Sequence, residues 1–321
     1  MNPVLAFDCD AEIERICQGI RHAMAGELGR RGLVLGMSGG IDSSVCAALA
    51  VRALGKERVL GLLMPEQDSS SASSSLGALL AEHLGIRYEQ QNISAALEAL
   101  GCYRWRDEAI REVVPEYGEG WKNKIVIRGG MDGQINRYEL VVEDPRGQRQ
   151  QVRLPLKPYL QIVAATNFKQ RIRKTLEYCW ADRLNYAVLG TPNRLEYDQG
   201  FFVKHGDGAA DIKPIAHLYK SQVYALARHM QLPDAICNST PTTDTYSLAQ
   251  GQDEFYFALP YEQMDVAVFA LNNNWPAEKL ASELSMTVEQ AGWVYADIDR
   301  KRKTTRYLHA APVLLDEIRL G

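Results

Sequence analysis

Gly32-Leu33-Val34-Leu35-Gly36-Met37-Ser38-Gly39-Gly40-Ile41-Asp42-Ser43-Ser44 decides how the rest of the chain is read. A short apolar run ended by glycine-rich punctuation fits a buried parallel strand. From Ser43 to about Leu54 the residues then continue as a helix. A loop that leaves the carboxyl end of such a strand and opens a helix aims several backbone N–H groups, and the positive helix end, at one point. That point suits a phosphate. Gly39 and Gly40 let the backbone approach closely, and Ser38, Ser43 and Ser44 add hydroxyl donors. Asp42 is the informative residue, because a carboxylate beside a phosphate cradle repels the ligand unless a divalent cation lies between, so Asp42 is assigned to Mg²⁺. Glycine-rich turns often only join strand to helix, and Gly39-Gly40 alone would support no more than that. The full Ser-Gly-Gly-x-Asp-Ser string between strand and helix supports the phosphate reading.

Outward from this loop the chain alternates. A helix over Ala11 to Leu28 precedes it, with Ile13, Ile16, Ile20 and Met24 at helical spacing. A strand Val59 to Met64, a serine-rich loop, a helix near Leu76 to Leu84 and a strand around Arg87 to Asn92 follow. Such alternation means a parallel sheet covered on both faces. Between about Tyr103 and Pro158 the rhythm breaks into three strand-like runs, Lys124 to Arg128, Tyr138 to Glu143 and Gln151 to Leu154. The turn-forming Gly129 to Gly133 and Asp144 to Gly147 separate them, which predicts an inserted β-hairpin or three-stranded flap. The α/β pattern resumes with a helix from about Leu160 to Trp180, a strand Tyr186 to Leu189 and a helix from about Leu218 to Met230. The expected fold is α/β, a Rossmann-like doubly wound parallel sheet. It forms one domain over 1–321, with a β-rich insert at 103–158 and a helical C-terminal part at 259–321.

With 321 residues, 46% of them apolar, the chain can bury a large core. A formal charge of −4 gives no general attraction for nucleic acid or anionic membrane, so a phosphate-binding surface has to be local. Cys9, Cys17, Cys46, Cys102, Cys179 and Cys237 are scattered, without C-x-x-C pairs or histidines at zinc-ligand spacing, which indicates neither a disulfide framework nor a structural metal. The first ten residues carry no signal pattern, and no stretch approaches the roughly 18 apolar residues that span a bilayer. A reduced, cytoplasmic location is expected, with no nucleic-acid or membrane partner.

A second string lies farther on. Asn167-Phe168-Lys169-Gln170-Arg171 precedes Gly190-Thr191-Pro192-Asn193-Arg194-Leu195-Glu196. Gly200-Phe201-Phe202-Val203-Lys204-His205-Gly206-Asp207-Gly208-Ala209-Ala210-Asp211 and Leu218-Tyr219-Lys220-Ser221-Gln222-Val223 follow. Thr191 and Glu196 come just after a strand, at the sheet edge where ligands bind in open α/β folds. Glu196 can supply a second carboxylate to the cation at Asp42. Lys204 and Lys220 are point charges suited to phosphate, and Arg171 offers a planar fork. Taken singly, each of these charges would more often be a solvated surface group.

Together the two strings resemble the NAD synthetase family, within the wider group of ATP pyrophosphatases that cleave ATP between the α and β phosphates. The resemblance covers about Gly32 to Gly101 and Leu160 to Asn272. It implies that Gly36 to Ser43, Thr191, Lys220 and Thr242 contact ATP, with Asp42 and Lys220 catalytic. Asp42 and Glu196 would hold Mg²⁺, and Arg171, Lys204 and Asp211 would hold deamido-NAD. Arg300 and Lys301 resemble the basic segment with which the family closes on its substrate's phosphates. Arg300 to Arg306 reads equally as a basic helix end, and Pro276 to Lys303 also reads as two helices in a helix-turn-helix-like hairpin. The resemblance further implies adenylation of deamido-NAD and its amidation by ammonia, in a homodimer. Ammonia would come free or from a separate glutaminase subunit. Two other readings stay open: an amide ligase acting on another carboxylate, for which the insert would reshape the pocket, and a non-catalytic nucleotide sensor.

Overall fold

Burial alternates along the first strand and sets up two layers. In β1 (Leu33–Gly36), Leu33 and Leu35 face one layer of helices and Val34 faces the other, as the two-residue period of a strand requires. β2 (Val59–Leu63) runs parallel beside it, with Leu33 opposite Val59, and β3 (Arg87–Gln90) runs parallel beside β2. β4 (Lys122–Arg128), β5 (Arg137–Glu143) and β6 (Arg149–Arg153) form a separate antiparallel sheet in that order. β7 (Ala187–Val188) returns to the free side of β1, giving the parallel order β3-β2-β1-β7, and Leu189 and Ile212 extend that edge by one parallel bridge. The computed structural model describes residues 1–128, 137–239, 245–248, 251, 256 and 259–316.

The Leu33 face is covered by α1 (Cys9–Ala25), α2 (Ile41–Leu54) and α3 (Ser71–Leu84). α1 starts where the Asp8 carboxylate accepts from Ala11 N at 3.0 Å, and it buries Ile13, Ile16, Ile20 and Met24, the periodic positions read from the sequence. α3 is capped by Ser70 and stopped by left-handed Gly85. The Val34 face is covered by α4 (Ser94–Ala99), α5 (Cys102–Arg111) and the 29-residue α6 (Leu156–Leu184).

The insert, expected to be β-rich over 103–158 with its first strand at Lys124, opens on a helix, α5. Cys102, Arg106, Ala109 and Ile110 are buried at helical spacing, and that pattern decides the conformation. The three strands follow as expected. Their separator at 129–133 lies outside the described residues. Ala109, Ile110 and Val114 pack with Ile125, Leu140 and Val142 of the small sheet, with Ile162 of α6 and with Tyr246. The flap thus has a core of its own and is seated on α5 and α6.

After β7 come α7 (Arg194–Gln199), α8 (Lys220–His229) and the single turn α9 (Asp234–Cys237), of which α8 and α9 complete the Leu33 layer. α10 (Tyr261–Asn272), α11 (Ala277–Leu284) and α12 (Val288–His309) make a further core from Met264, Val268, Leu280, Ala291 and Ile298, joined by Leu5 and Leu195. The α11–α12 hairpin therefore spends its apolar faces on α10. No helix among the described residues is long and apolar enough to cross a membrane.

Candidate active site

The chain moves outward from β1 to β3 and returns on the other side, so strand order reverses between β1 and β7. In such sheets ligands bind outside the carboxyl ends at that reversal. Two loops meet there: Met37 to Gly40 after β1, and Gly190 to Asn193 after β7. Gly39 has φ +74°, and a Cβ there would come within 2.7 Å of both Ser73 O and Leu76 Cβ, so the loop lies directly against the first turns of α3. Gly40 caps α2 without a side chain, leaving the first amides of that helix no side-chain acceptor. Ser38 Oγ accepts from Gly40 N at 3.2 Å and lies 3.3 Å from Ser43 Oγ. Ser43 and Ser44 donate to Gly40 O at 3.0 and 2.8 Å. Ser44 is fully buried, so its hydroxyl braces the loop, a role different from the ligand donor expected of it.

A connected polar chain crosses from one loop to the other. Lys220 Nζ contacts Asp42 Oδ2, and Asn193 Nδ2 donates to Asp42 Oδ1 at 3.1 Å. Asn193 N in turn donates to Glu196 Oε2 at 3.2 Å, while Asn193 Oδ1 accepts from Leu195 N and Glu196 N at 2.9 and 3.2 Å. Asn193 is therefore the cap of α7 and the spacer between the two carboxylates assigned to the cation. Lys220 is the first residue of α8 and 2% exposed. Burial opposes its charge, but Asp42 and then Glu196 outweigh it and hold the ammonium well above the ordinary lysine range. The start of α8 is fixed by Asp265 of α10, which accepts from Lys220 N at 3.1 Å and Ser221 N at 2.7 Å. Burial pushes the Asp265 carboxyl up to about 6 against the pull of those amides. Thr191 lies half-buried in the loop after β7. Cys46, inside α2, is buried and its thiol is raised well above the usual value by burial, so it is core.

The remaining expected residues fall into two places. Arg171, Lys204 and Asp211 gather around the 203–211 loop beside β7. Arg171 Nε donates to Lys204 O at 3.3 Å, and Asp211 Oδ2 accepts from Val188 N at 2.7 Å. Lys204 Nζ donates to Tyr307 O and Ala310 O, both at 2.9 Å, at the carboxyl end of α12. Arg300 and Lys301 diverge. The Arg300 side chain is half exposed near Asp297, whereas Lys301 is buried against Asp297 at 2.7 Å and Tyr256 O at 2.6 Å. Thr242 lies outside the described residues. Among the described residues no group of three or more His, Cys, Asp or Glu side chains could hold a metal by itself. The Asp42 and Glu196 pair fits Mg²⁺ bound jointly with phosphate, since that ion commonly takes one or two carboxylates and completes its shell with phosphate and water.

Sequence reasoning assigned no role to Asn193 or Asp265. Asn193 had a legible signal, the N-x-x-E spacing of a capping box ahead of α7. Asp265 had none, because its partners are more than 40 residues away.

The NAD synthase family model matches residues 12–114 and 138–307, and the gap between the two stretches falls within the insert. An NH(3)-dependent NAD(+) synthetase of Rhizobium meliloti (strain 1021) is 56% identical over 98% of this chain and 94% of its own length. One of Mesorhizobium japonicum is 54% identical over 98% and 99%. Among solved structures, an NH3-dependent NAD synthetase from Campylobacter jejuni superposes with a TM-score of 0.63 at 25% identity, covering 97% of this chain and all of that one. NMN synthetase from Francisella tularensis shares the fold at a TM-score of 0.67 and 20% identity, over 97% of this chain and all of its own.

Proposed function

Because this chain belongs to the NAD synthase family, we propose that it is an ammonia-dependent ligase that converts deamido-NAD to NAD while cleaving ATP to AMP and pyrophosphate. The observation that carries the reading is the continuous Lys220, Asp42, Asn193, Glu196 chain lying between the phosphate loop and the loop after β7. A carboxylate oxygen of deamido-NAD attacks the α phosphorus of ATP, and the bond to the bridging oxygen breaks, so pyrophosphate leaves with that electron pair. Ammonia then attacks the adenylated carbonyl carbon, AMP leaves, and the nitrogen loses a proton.

Charge develops on the departing pyrophosphate in the first step. The free amides at the start of α2 and the permanently charged Lys220 face that charge from a preorganised, partly buried setting, where electrostatic stabilisation is strongest. Asp42 and Glu196 are the residues that would hold Mg²⁺, which neutralises phosphate charge when bound. Arg171, Lys204 and Asp211 line the β7 side of the reversal, where the second nucleotide would lie. Lys204 would have to exchange its α12 carbonyls for substrate. The separate placements of Arg300 and Lys301 favour a structural part for Lys301 in the C-terminal core.

Leu156 and Leu160, 70% and 54% exposed, are one turn apart on the same face of α6. A homodimer would bury this apolar stripe, and sedimentation of the purified protein measures whether a dimer forms. The six free thiols suit a reducing compartment such as the cytoplasm.

The test mixes purified protein with ATP, Mg²⁺, ammonium and deamido-NAD, and follows NAD and AMP. Equal amounts of the two are expected. AMP release that requires a different carboxylic acid would transfer the reading to the other amide ligase, and no AMP with any acid would remove the enzyme reading. Retention of Mn²⁺ by protein plus a non-hydrolysable ATP analogue, read by electron paramagnetic resonance, should be lost in Asp42→Ala.

A further inference from the structure

A buried ionic cluster lies beside the site, and no step of the chemistry uses it. Glu66 and Asp68 sit in the loop leaving the carboxyl end of β2, the strand next to β1. Their side chains are 0% and 6% exposed, and those of Lys169 on α6 and Arg106 on α5 are 1% and 6% exposed. Lys169 Nζ lies 3.0 Å from Glu66 Oε1 and 2.6 Å from Asp68 Oδ2, and it donates to Thr245 O at 2.9 Å. Arg106 contacts the same Asp68 oxygen through Nη1. Tyr103 OH donates to Glu66 Oε2 at 2.8 Å and accepts from Gln67 N at 3.3 Å.

Stability is a poor reason for such a cluster. Desolvating four charges costs as much as their attraction returns, and apolar residues of the same volume commonly serve better. What the cluster does supply is a fixed geometry with three outlets. The Glu66 to Asp68 loop runs directly into Ser70, the cap of α3, and Ser73 and Leu76 in the first turns of α3 are the contacts behind Gly39 of the phosphate loop. Through its bond to Thr245 O, Lys169 also reaches the segment that follows Thr242. Tyr103 and Arg106 belong to α5, whose Ala109 and Ile110 share a core with the small sheet of the insert.

We propose that Lys169 is a positioning residue: with Glu66, Asp68 and Arg106 it fixes the loop after β2, and through it the α3 turn behind Gly39, in the arrangement in which the phosphate loop holds ATP. The insert is then a buttress of the ATP side of the site, and loosening it registers on ATP before it registers on deamido-NAD. This rests on the reading that the loop binds ATP.

Two variants test it without leaving an unpaired buried charge. Tyr103→Phe removes only a hydroxyl, and the double variant Lys169→Met with Glu66→Gln leaves Arg106 paired with Asp68. In the double variant KM for ATP should rise about fivefold or more, the equivalent of one net hydrogen bond, with KM for deamido-NAD changed less than about twofold. Tyr103→Phe should move KM for ATP in the same direction by less, and Lys169→Arg, which keeps the charge facing Glu66 and Asp68, should raise it less than the double variant does. Folded variants with the wild-type KM for ATP would overturn the proposal, as would equal rises in both KM values. Should the double variant fail to fold, the KM pair of Tyr103→Phe decides alone. A wild type that turns over ATP and deamido-NAD while the variants are unchanged sinks only this inference. A wild type inactive on deamido-NAD sinks the functional reading.

Discussion

Replacing Asn193 by alanine tests whether one small side chain spaces the two carboxylates of the site. Asn193 is 1% exposed, and its Oδ1 serves Leu195 N and Glu196 N while its Nδ2 serves Asp42. Loss of an N-cap costs about 1 kcal/mol, and loss of a buried hydrogen bond to a charged group about 1.5–3 kcal/mol. The sum, about 2.5–4 kcal/mol, is an upper figure because water can enter the small void and rejoin Asp42. At about 2 °C per kcal/mol for a chain of this size, the melting temperature should fall by about 5–8 °C, read by differential scanning calorimetry. Stability alone does not test the site. Freed from Asn193, Asp42 and Glu196 are no longer held at a fixed separation, so the Mg²⁺ concentration giving half-maximal NAD formation should rise by about tenfold, in line with losses on removing the partners of metal ligands. Asn193→Ser, which keeps a capping oxygen but cannot span to Asp42, should recover only the capping share of that fall, about 2 °C, and leave the Mg²⁺ requirement high. A variant destabilised as expected but with an unchanged Mg²⁺ requirement would refute the spacing argument.

Asp265 and Gly39 give two more. The folded-state pKa of Asp265, about 6 against an ordinary 3.8, means that the folded chain binds more protons than the unfolded one between those values, so this group's contribution falls as pH rises through about 6. Two units correspond to about 3 kcal/mol, present as a cost above that pH and absent below the ordinary value. Asp265→Asn should therefore be most destabilised relative to wild type near pH 4 and less so at pH 7. A melting-temperature difference that stays constant across that range would contradict the assignment. For Gly39→Ala, left-handed backbone costs about 1–2 kcal/mol before its Cβ meets Ser73 O, and the thermal shift produced by ATP should vanish. Gly40→Ala should keep it, since a Cβ there meets only Ser38 Oγ at 3.2 Å, and equal behaviour of the two would dismiss the packing account.

What the sequence disclosed follows the range of the interactions involved. β1, β2, β3 and α1 were readable because burial period and punctuation are local, and their observed bounds differ from the expected ones by a few residues. The phosphate loop was readable for the same reason. α5 was missed because its apolar face has only three turns and carries Arg106, whose burial depends on Asp68 and Lys169 from elsewhere in the chain. Lys169 itself stood inside a quoted string two residues before Arg171, yet the two point into different surroundings: Lys169 is 1% exposed and Arg171 is exposed. Adjacent positions on a helix lie about 100° apart, so membership of one motif says nothing about facing one ligand. Arg300 and Lys301 repeat the lesson on α12.

The same geometry explains why ATP-binding and insert residues can be coupled in one small region. β1 and β2 are adjacent and parallel, so their carboxyl-end loops emerge side by side and a helix start from one backs the loop from the other. A parallel sheet forces each crossover through a covering helix, and α6 is the crossover that leads from the insert to β7. Its 29 residues therefore pass the insert's core at Ile162, the ionic cluster at Lys169 and the substrate side at Arg171 in succession. An added segment between β3 and β7 can be accommodated at the start of this helix without disturbing the strand order. Because the helix is continuous, the segment's seating is mechanically tied to the nucleotide side. The insert's influence on catalysis should therefore depend on the integrity of α6 between Ile162 and Lys169, and a proline at exposed Ala164, which breaks the helix there while leaving both ends intact, should uncouple the flap from ATP affinity.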